Sequence, residues 1–463
     1  MIHDKCAVFG TFSPPEDVAR LIFFALFALQ HRGQESSGIV VSNGRDLKRH
    51  AAIGLVSQVF DEESLSRLSG FSGIGHNRYS TTGTNSSVNA QPIVVSGPEG
   101  KIALAHNGNI VNAVQLRQEL LEKGFKFSAT TDSEVIANLI LSTPGHNWVE
   151  RVASATRRLI GAYSLTLLTT DRLIAVRDPN GVRPLCLGYI GLSPVVASES
   201  CALDHIGARF ERELEPGELL AFGADGVTRL HIGEGQRHAF CAFEYIYLAR
   251  PDSTLENRLV YDSRQDMGAQ LWREYPVDAD LVLGIPDSAI PAAIGFADAS
   301  GIPYCEGLLK NRYIGRTFIA PDQRLRDLGV QLKFNPLSGT IAGKRLVVLD
   351  DSIVRGTTTP HVVALLRAAG AREVHLRICA PPLIHPCFLG VDIPTESELI
   401  AARYSVAEIQ KHVQADSLGY ISLEGLQKAL QRPCSSLCTA CFTGQYPVPV
   451  QMGLGKLALE TAP

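Results

Sequence analysis

The stretch VVLDDSIVRGTTT (347–359) decides the fold of the second half of the chain, because it joins a buried strand to a helix through a short polar loop. Residues 346–349 form an apolar run that is typical of a buried parallel strand, and helix-forming residues resume at Val362. Ligands of open parallel sheets bind beyond the carboxyl ends of the strands. The sequence therefore predicts a binding site at this loop.

The residue types of this loop suit a phosphorylated sugar and a metal ion. Hydroxyl residues around Gly356, placed ahead of a helix, supply backbone N–H groups and a favourable dipole for a phosphate. The adjacent carboxylates of Asp350 and Asp351 suit ribose hydroxyls or Mg²⁺. The acidic pair or the threonines alone would favour a polar turn with N-cap residues, but their combination on one loop favours a ligand site.

A second loop, GIPDSAI (284–290), also follows an apolar strand, residues 281–283. Ser288 is suited to give an oxygen to Mg²⁺, although a Pro-Asp-Ser sequence is by itself an ordinary turn. The segment KNRYIGRTFI (310–319) is basic, and a solvated hairpin is its simplest interpretation. Its cationic residues are Lys310, Arg312 and Arg316.

The chain divides into two parts that differ in their pattern of apolar and glycine residues. Up to about residue 235, short β-type runs alternate with glycines, which predicts a layered, largely antiparallel domain. Two helices are expected inside it, at 14–30 and 132–141, the first with a capping box from Ser13 to Glu16. Beyond this point apolar runs alternate with helices, as in βαβ units on a parallel sheet. We expect the boundary at GEGQR (233–237).

Cys6 follows a charged five-residue stub and begins an apolar run. A thiol needs a nearby base or a lowered pKa to attack an amide at neutral pH. A chain that begins with cysteine carries such a base, its own α-amino group with a pKa of about 8. Removal of residues 1–5 as a propeptide would free this amine. A buried thiol on a first strand is the commoner alternative.

Four further motifs follow Cys6 in order: QHRGQESSGI (30–39), GHNRYSTTG (75–83), AHNGNIVN (105–112) and TTDSEV (130–135). Together they resemble the N-terminal-nucleophile (Ntn) glutamine amidotransferases. The resemblance implies an Ntn-hydrolase αββα sandwich with Cys6 as the nucleophile. For the Asn–Gly pair of the third motif, a strand-connecting turn is the alternative.

The same resemblance implies a role for each polar residue of these motifs. Asn107 and the backbone N–H of Gly108 would form the oxyanion hole that amide hydrolysis requires. Arg78 would bind the α-carboxylate of glutamine, and Asp132 would bind its α-amine. Arg32 would order the site.

The loop at 347–359 resembles the phosphoribosyl pyrophosphate (PRPP) loop of type I phosphoribosyltransferases. This resemblance implies that the acidic pair faces ribose or metal, that residues 355–359 line the 5-phosphate, and that 310–319 closes over PRPP. The implied PRPP-binding residues are Asp350, Asp351, Ser352, Arg355, Gly356, Thr357 and Thr358, and the implied magnesium ligands are Ser288, Asp350 and Asp351.

An Ntn glutaminase joined to a PRPP loop resembles the amidophosphoribosyltransferases. The resemblance extends over RDPNGVRPL (177–185), SESCALD (198–204), EPGE (215–218), FEYIYLARPDS (243–253) and CFTGQYP (441–447). It implies hydrolysis of glutamine and transfer of ammonia to C1 of Mg-PRPP, giving 5-phosphoribosylamine, the first committed step of purine biosynthesis. The alternatives are a catalytically silent regulator that binds PRPP or nucleotides, and an amidotransferase with another acceptor.

The resemblance also implies a domain order and partners. Residues 1–5 would be the propeptide, 6–235 the glutaminase, and 236–463 a type I phosphoribosyltransferase domain with a C-terminal iron–sulfur segment. The family suggests a homotetramer with purine nucleotides as feedback inhibitors. Pro360 and His361 stand where a basic pair is usual, so we expect altered feedback.

The 10 cysteines are too scattered for a secreted disulfide framework. Cys438 and Cys441 form a C-x-x-C pair, which alone is weak evidence for a metal site. Resemblance to the iron–sulfur subgroup of the family adds Cys241 and Cys387 as ligands of a [4Fe–4S] cluster. Four thiolates also suit zinc, and the spacing does not choose between the two.

The composition limits the kinds of partner that the protein is expected to bind. A net charge of −4 gives no general attraction to nucleic acid or to a membrane surface. The apolar run at 21–29 is too short to span a bilayer and lacks the flanks of a signal peptide. We therefore expect a cytoplasmic protein.

Overall fold

The short runs of the first half of the chain form two antiparallel sheets. The structure, a computed structural model, describes residues 6–79, 86–233, 237–311, 334–393, 395–450 and 459. The first thirteen strands are β1 (Ala7–Phe12), β2 (Ser36–Ser42), β3 (Leu47–Ile53), β4 (Ser72–Arg78), β5 (Ile93–Gly97), β6 (Gly100–Ile110), β7 (Gly161–Leu168), β8 (Arg172–Arg177), β9 (Cys186–Ile190), β10 (Ser193–Ala197), β11 (Arg209–Glu213), β12 (Glu218–Gly223) and β13 (Gly226–His231). One sheet has the order β11-β9-β10-β1-β4-β2-β3, and the other has the order β13-β12-β8-β7-β6-β5.

The two sheets pack face to face, and helices cover their outer faces. Strands β1 and β4 contact β6 and β7, with Val8, Ile74 and Ala103 in the core between them. The helices are α1 (Val18–Ala28), α2 (Val56–Val59), α3 (Glu62–Arg67), α4 (Ala113–Glu122), α5 (Asp132–Ser142), α6 (Trp148–Thr156) and α7 (Ser200–His205). Helix α1 packs on β1 and β4, whereas α5 packs on β5 and β6. The predicted αββα sandwich is confirmed.

The first predicted helix is wrong at both ends. It begins at Val18 rather than at residue 14, because Asp17 is the N-cap and its carboxylate accepts a hydrogen bond from the Arg20 backbone N–H at 3.0 Å. Ser13 has a left-handed backbone with φ of 53°, so it does not start a capping box. The second predicted helix, at 132–141, is confirmed as α5.

The second half of the chain is built on a parallel sheet, as predicted. Its strands are β17 (Leu281–Gly284), β20 (Arg345–Asp350), β21 (Glu373–Ile378) and β22 (Ser417–Tyr420), paired in that order. The larger helices are α8 (Val260–Glu274), α9 (Ile290–Ser300), α11 (Thr358–Ala368), α13 (Val406–Val413) and α14 (Leu423–Leu430). Helix α11 begins four residues before Val362, so the polar loop after β20 is shorter than the sequence suggests.

Short elements complete this half. They are β14 (Phe240–Cys241), a π-helical turn (Glu244–Leu248), β15 (Thr254–Leu255), β16 (Arg258–Leu259), β18 (Leu308–Lys310), β19 (Phe334–Pro336), α10 (Ser338–Ile341), α12 (Ile400–Arg403), β23 (Leu437–Cys438) and α15 (Ala440–Thr443). Ala162 and Val182 of the first half share one buried core with Phe240 and Phe243 of the second. The two halves therefore pack directly against each other.

Some predictions fall outside the described residues. These are the propeptide at 1–5, most of the boundary at 233–237, and the basic residues Arg312 and Arg316. Within the described ranges, the helices are all too short or too polar to cross a membrane.

Candidate active site

Cys6 lies immediately before β1 and is buried, with 6% of its surface exposed. Its thiol donates a hydrogen bond to the Tyr79 carbonyl at 3.3 Å. Burial raises the pKa of the Cys6 thiol to about 11, although this hydrogen bond and the nearby Arg78 act to lower it. The thiol is therefore protonated at neutral pH, and attack on an amide requires a base to accept its proton.

Arg78 and Asp132 lie beside Cys6, as the motifs predict. Both are close enough to shift the pKa of the thiol, Arg78 downward and Asp132 upward. Arg78 ends β4, and its Nη1 atom is 3.7 Å from a carboxylate oxygen of Glu35. A cation and a carboxylate therefore both lie near the thiol, and they are opposite in charge to the carboxylate and ammonium groups of an α-amino acid.

The Asp132 carboxylate is held from two directions. It accepts a hydrogen bond from the Ile110 backbone N–H at 3.1 Å and lies 3.5 Å from His106 Nδ1. Burial alone would raise the pKa of this carboxyl, but His106 and these hydrogen bonds lower it below its usual range. Asp132 is therefore ionised at neutral pH and suited to bind an ammonium group.

Asn107 and Gly108 lie within β6, so the strand-connecting turn considered for this Asn–Gly pair is wrong. Asn107 is paired with Ser164 and Gly108 with Tyr163 of β7. Pairing along a long strand overrides the local turn preference of the dipeptide. The Asn107 amide is buried, and neither its nitrogen nor its oxygen has a hydrogen-bond partner among the described residues. An unpaired buried amide costs about 1–3 kcal/mol, which indicates a ligand site.

Glycine is required at position 108 because a neighbouring backbone segment leaves no room for a side chain there. A Cβ atom at Gly108 would lie 1.9 Å from the Ala162 carbonyl oxygen. From the second half of the chain, Gly390 packs on the same peptide, and a Cβ at Gly390 would lie 2.8 Å from the Gly108 carbonyl carbon. Next to it, the Asn109 side chain donates to the Phe388 carbonyl at 2.8 Å. The segment at 388–390 thus packs against the peptide that is expected to form the oxyanion hole of the Cys6 site.

Three residues of this site, Arg183, Glu199 and Glu244, were not assigned a role from the sequence. Arg32, which was expected to order the site, forms buried ion pairs with Glu199 and Glu244. Glu244 also pairs with Arg183. Glu199, Glu244 and Arg183 all lie in stretches that resemble the amidophosphoribosyltransferases, but only the fold reveals that these stretches meet.

The loops after β17 and β20 meet at the carboxyl edge of the parallel sheet. Ser288 donates to one carboxylate oxygen of Asp351 at 2.7 Å, and Ser352 donates to the other at 2.6 Å. Asp350 accepts from the Asp351 backbone N–H at 2.9 Å. Four oxygen-bearing side chains are therefore neighbours at this edge, and oxygen is the ligand that Mg²⁺ prefers.

The remainder of this loop leads into the N-terminus of α11. Gly356 adopts a left-handed conformation with φ of 68°, and its carbonyl accepts from His412 Nε2 at 3.1 Å. Thr357 precedes the helix, and its side chain makes no capping hydrogen bond. Arg355 is ion-paired with Glu398 at 2.8 Å. Of the basic residues at 310–319, Lys310 is described, and it pairs with Asp287.

The four cysteines expected to hold a cluster are brought together by the fold. Strands β14 and β23 are parallel, which places Cys241 opposite Cys438. The Cys441 carbonyl accepts from the Ile384 and His385 backbone N–H groups at 3.1 Å each, which brings in the segment that carries Cys387. Burial, together with the neighbouring Cys241 and Cys387, raises the pKa of Cys438 to about 12. The other thiols are mutual neighbours in the same way.

These four thiols are neighbours, but their placement does not form a metal-binding group. Among the described residues, no group of three or more His, Cys, Asp or Glu side chains is positioned to hold a metal ion. Cys434 is not one of the neighbours that shift the pKa of these thiols, and its sulfur instead contacts the Gln427 amide. The four predicted cysteines are therefore neighbours in the fold without forming such a group.

Comparison with known proteins identifies the class first. Residues 76–205 match the glutamine amidotransferase domain, in agreement with the αββα sandwich and the setting of Cys6. The amidophosphoribosyltransferase of Synechococcus elongatus is 49% identical over 467 residues, which cover 99% of this chain and 95% of that protein. That of Methanothermobacter thermautotrophicus is 47% identical and covers 98% and 97%. The chain belongs to the amidophosphoribosyltransferase family.

Solved structures agree with this identification. Glutamine PRPP amidotransferase from B. subtilis, complexed with ADP and GMP, is 44% identical with a TM-score of 0.91, and the match covers 97% of this chain and 98% of that one. A structure described as the allosteric regulatory enzyme of purine biosynthesis has a TM-score of 0.93 and 44% identity, covering 98% and 99%. The reaction forms 5-phosphoribosylamine from glutamine and PRPP, which is the first step of purine biosynthesis.

Proposed function

We propose that this reaction is divided between two sites, with glutamine hydrolysed at Cys6 and the released ammonia used at the loops after β17 and β20. The observation that carries the proposal is the meeting of Cys6, Arg78 and Asp132 in one buried site. Arg78 binds the α-carboxylate of glutamine and Asp132 its α-ammonium group. The side-chain amide then lies against the thiol.

The first half-reaction forms and then breaks a thioester. The Cys6 sulfur attacks the amide carbon while the thiol proton passes to the α-amino group of the same residue, once residues 1–5 are removed. The Asn107 amide and the Gly108 N–H stabilise the oxyanion, and the unpaired state of the Asn107 amide supports this role. The C–N bond breaks with proton return, ammonia leaves, and water releases glutamate.

The second half-reaction is a displacement at C1 of PRPP. Ammonia forms the new C–N bond as pyrophosphate leaves with the electrons of the C–O bond. Asp350 and Asp351 bind the ribose hydroxyls, while the Arg355–Thr358 stretch and the N-terminus of α11 bind the 5-phosphate. Mg²⁺ would be held at Ser288, Asp350 and Asp351, where it would neutralise charge on the pyrophosphate.

We further propose that Cys241, Cys387, Cys438 and Cys441 hold a [4Fe–4S] cluster with a structural or oxygen-sensing role. Four neighbouring thiols, that of Cys241 buried and the other three partly buried, are the donor set that such a cluster requires. The resemblance to the iron–sulfur subgroup of the family favours iron over zinc at this group. The cluster would join the start of the second half of the chain to its end.

Regulation and assembly are proposed from the resemblance. The B. subtilis structure was determined with ADP and GMP, which supports purine nucleotides as feedback inhibitors of this chain. Pro360 and His361, in the first turns of α11, would alter that feedback. The homotetramer and the cytoplasmic location stay predictions.

Release of glutamate from glutamine tests the coupled reaction directly. Measured anaerobically, it is expected to rise strongly when Mg-PRPP is added, because the 388–390 segment of the second half contacts Asn109 and the Gly108 peptide. Release that is indifferent to PRPP would mean that the sites are uncoupled or the acceptor is another molecule. No release, with Cys6 established by mass as the N-terminus and the cluster intact, would favour the silent regulator.

The identity of the cluster is tested by metal analysis of cysteine variants. Cys441→Ser is expected to lose most of the iron and acid-labile sulfide found in the wild-type protein, since Cys441 neighbours the other three thiols. Cys434→Ser is the matched control and is expected to keep both. One zinc per chain in the wild-type protein, without sulfide, would contradict the iron–sulfur proposal.

A further inference from the structure

A buried charged network lies directly behind Cys6. The Arg32 side chain has 0% of its surface exposed, and its Nε–H donates to the Cys6 backbone carbonyl at 3.2 Å. Its two terminal nitrogens each donate to Glu244 at 3.1 Å, and one of them also donates to Glu199. The arginine therefore has one contact to the nucleophile and several contacts that fix its own position.

Glu199 holds this arginine from a firmly fixed position. Its carboxylate accepts from His31 Nε2 at 2.8 Å, from the Arg250 backbone N–H at 2.9 Å and from the Ser253 hydroxyl at 2.7 Å. Burial would raise the pKa of this carboxyl, but His31 and Arg32 keep it well below its usual range. Glu199 is thus an ionised group with little freedom to move, joining the 250–253 segment to the one that carries Arg32.

The network reaches the other side of the Cys6 site through Arg183. Arg183 lies 3.5 Å from a Glu244 carboxylate oxygen, and its other terminal nitrogen donates to the Leu389 carbonyl. The next residue, Gly390, packs on the Gly108 peptide. One chain of contacts therefore runs from the carbonyl of Cys6 to the peptide proposed as an oxyanion donor.

We propose that Glu199 is a positioning residue for glutamine hydrolysis: through Arg32, it sets the Cys6 backbone relative to the Gly108 peptide. The network pairs the carboxylates of Glu199 and Glu244 with two buried arginines, and the partly exposed His31 also contacts Glu199. Removing one carboxylate charge leaves an excess cation, and the Arg32 guanidinium then settles onto Glu244 alone and moves relative to Cys6. Displacement of a reacting group by 1 Å costs about 10²-fold in rate. The inference rests on the proposed role of Cys6.

Glu199→Gln tests this role, because glutamine keeps the size of the side chain and removes its charge. The kcat of glutamine-dependent synthesis is expected to fall about 10- to 100-fold. The KM for glutamine is expected to stay near the wild-type value, since Glu199 does not belong to the Arg78 and Asp132 pair. Synthesis from added ammonium, which does not use Cys6, is expected to be unchanged.

Glu218→Gln is the matched control. Glu218 is equally buried in the same half of the chain and is paired with Arg212 and Arg229, each at 2.7 Å. It lies on β12, in the sheet opposite the strand that follows Cys6. Both activities are expected to stay near wild type in this variant. An equal loss of glutamine-dependent synthesis in the two variants would overturn the specific role of Glu199.

Two other results would also overturn the inference: an equal fall of ammonium-dependent synthesis in Glu199→Gln, or no fall of either activity. If Glu199→Gln does not fold, Ser253→Ala takes its place, because it removes one hydrogen bond to Glu199 and leaves every charge. A smaller fall confined to glutamine-dependent synthesis supports the inference, and an equal fall of both overturns it. Wild-type protein that uses ammonium but not glutamine would instead overturn the proposed role of Cys6.

Discussion

Cys6→Ala is expected to abolish glutamine-dependent synthesis of 5-phosphoribosylamine while leaving synthesis from added ammonium near the wild-type rate. Loss of a catalytic nucleophile costs at least about 10³-fold, and the Cys6 thiol is the group against which Arg78 and Asp132 are placed. The loop after β20, which is proposed to bind PRPP, lies on another sheet, so we expect its use of external ammonia not to depend on the thiol. Parallel assays with glutamine and with ammonium at high pH measure the two rates.

Cys186→Ala is the control for this variant. Cys186 is buried on β9 of the same half of the chain and has no proposed chemical role. Both activities are expected to persist after its replacement. Loss of both activities in a folded Cys6→Ala protein that keeps its metal content would contradict the division of the reaction between two sites.

The double variant Asp350→Asn, Asp351→Asn is expected to lose synthesis from both nitrogen sources, by at least about 10²-fold. The two carboxylates carry the negative charge of the loop after β20, and Asp351 also holds the Ser288 and Ser352 hydroxyls. Without that charge, binding of ribose and Mg²⁺ is weakened. Basal glutaminase activity is expected to remain, but its stimulation by PRPP is expected to disappear.

Asp280→Asn is the control for the acidic pair. Asp280 pairs with Arg345 at 2.9 Å, at the amino end of the same strand, β20. A loss of stability without a loss of synthesis is expected there, since the amino edge of a parallel sheet is not its ligand edge. Retention of ammonium-dependent synthesis in the Asp350, Asp351 double variant would place PRPP elsewhere.

Much of the architecture could be predicted from the sequence because its signals are local. The apolar run at 346–349 followed by acidic and hydroxyl residues identifies a buried strand and the edge at which its ligands bind, and β20 confirms the strand. The alternation of short runs with glycine indicated the antiparallel half. Local signals failed where two of them competed, as when Asp17 rather than Ser13 capped α1. They also failed at Asn107, where strand pairing outweighed turn propensity.

The sequence by itself determined which residues are proposed to carry the chemistry, because Cys6, the acidic pair and the C-x-x-C each stand in short recognisable motifs. Only the tertiary structure decided how these motifs meet. Arg32 is 167 residues from Glu199 and 212 residues from Glu244 in the chain. The sequence pattern around a charged residue does not predict which distant residue it will pair with. Such pairs form because a buried charge requires an opposite charge. The fold fixes the identity of the partner: Glu199 within the first half of the chain, and Glu244 where the two halves pack together.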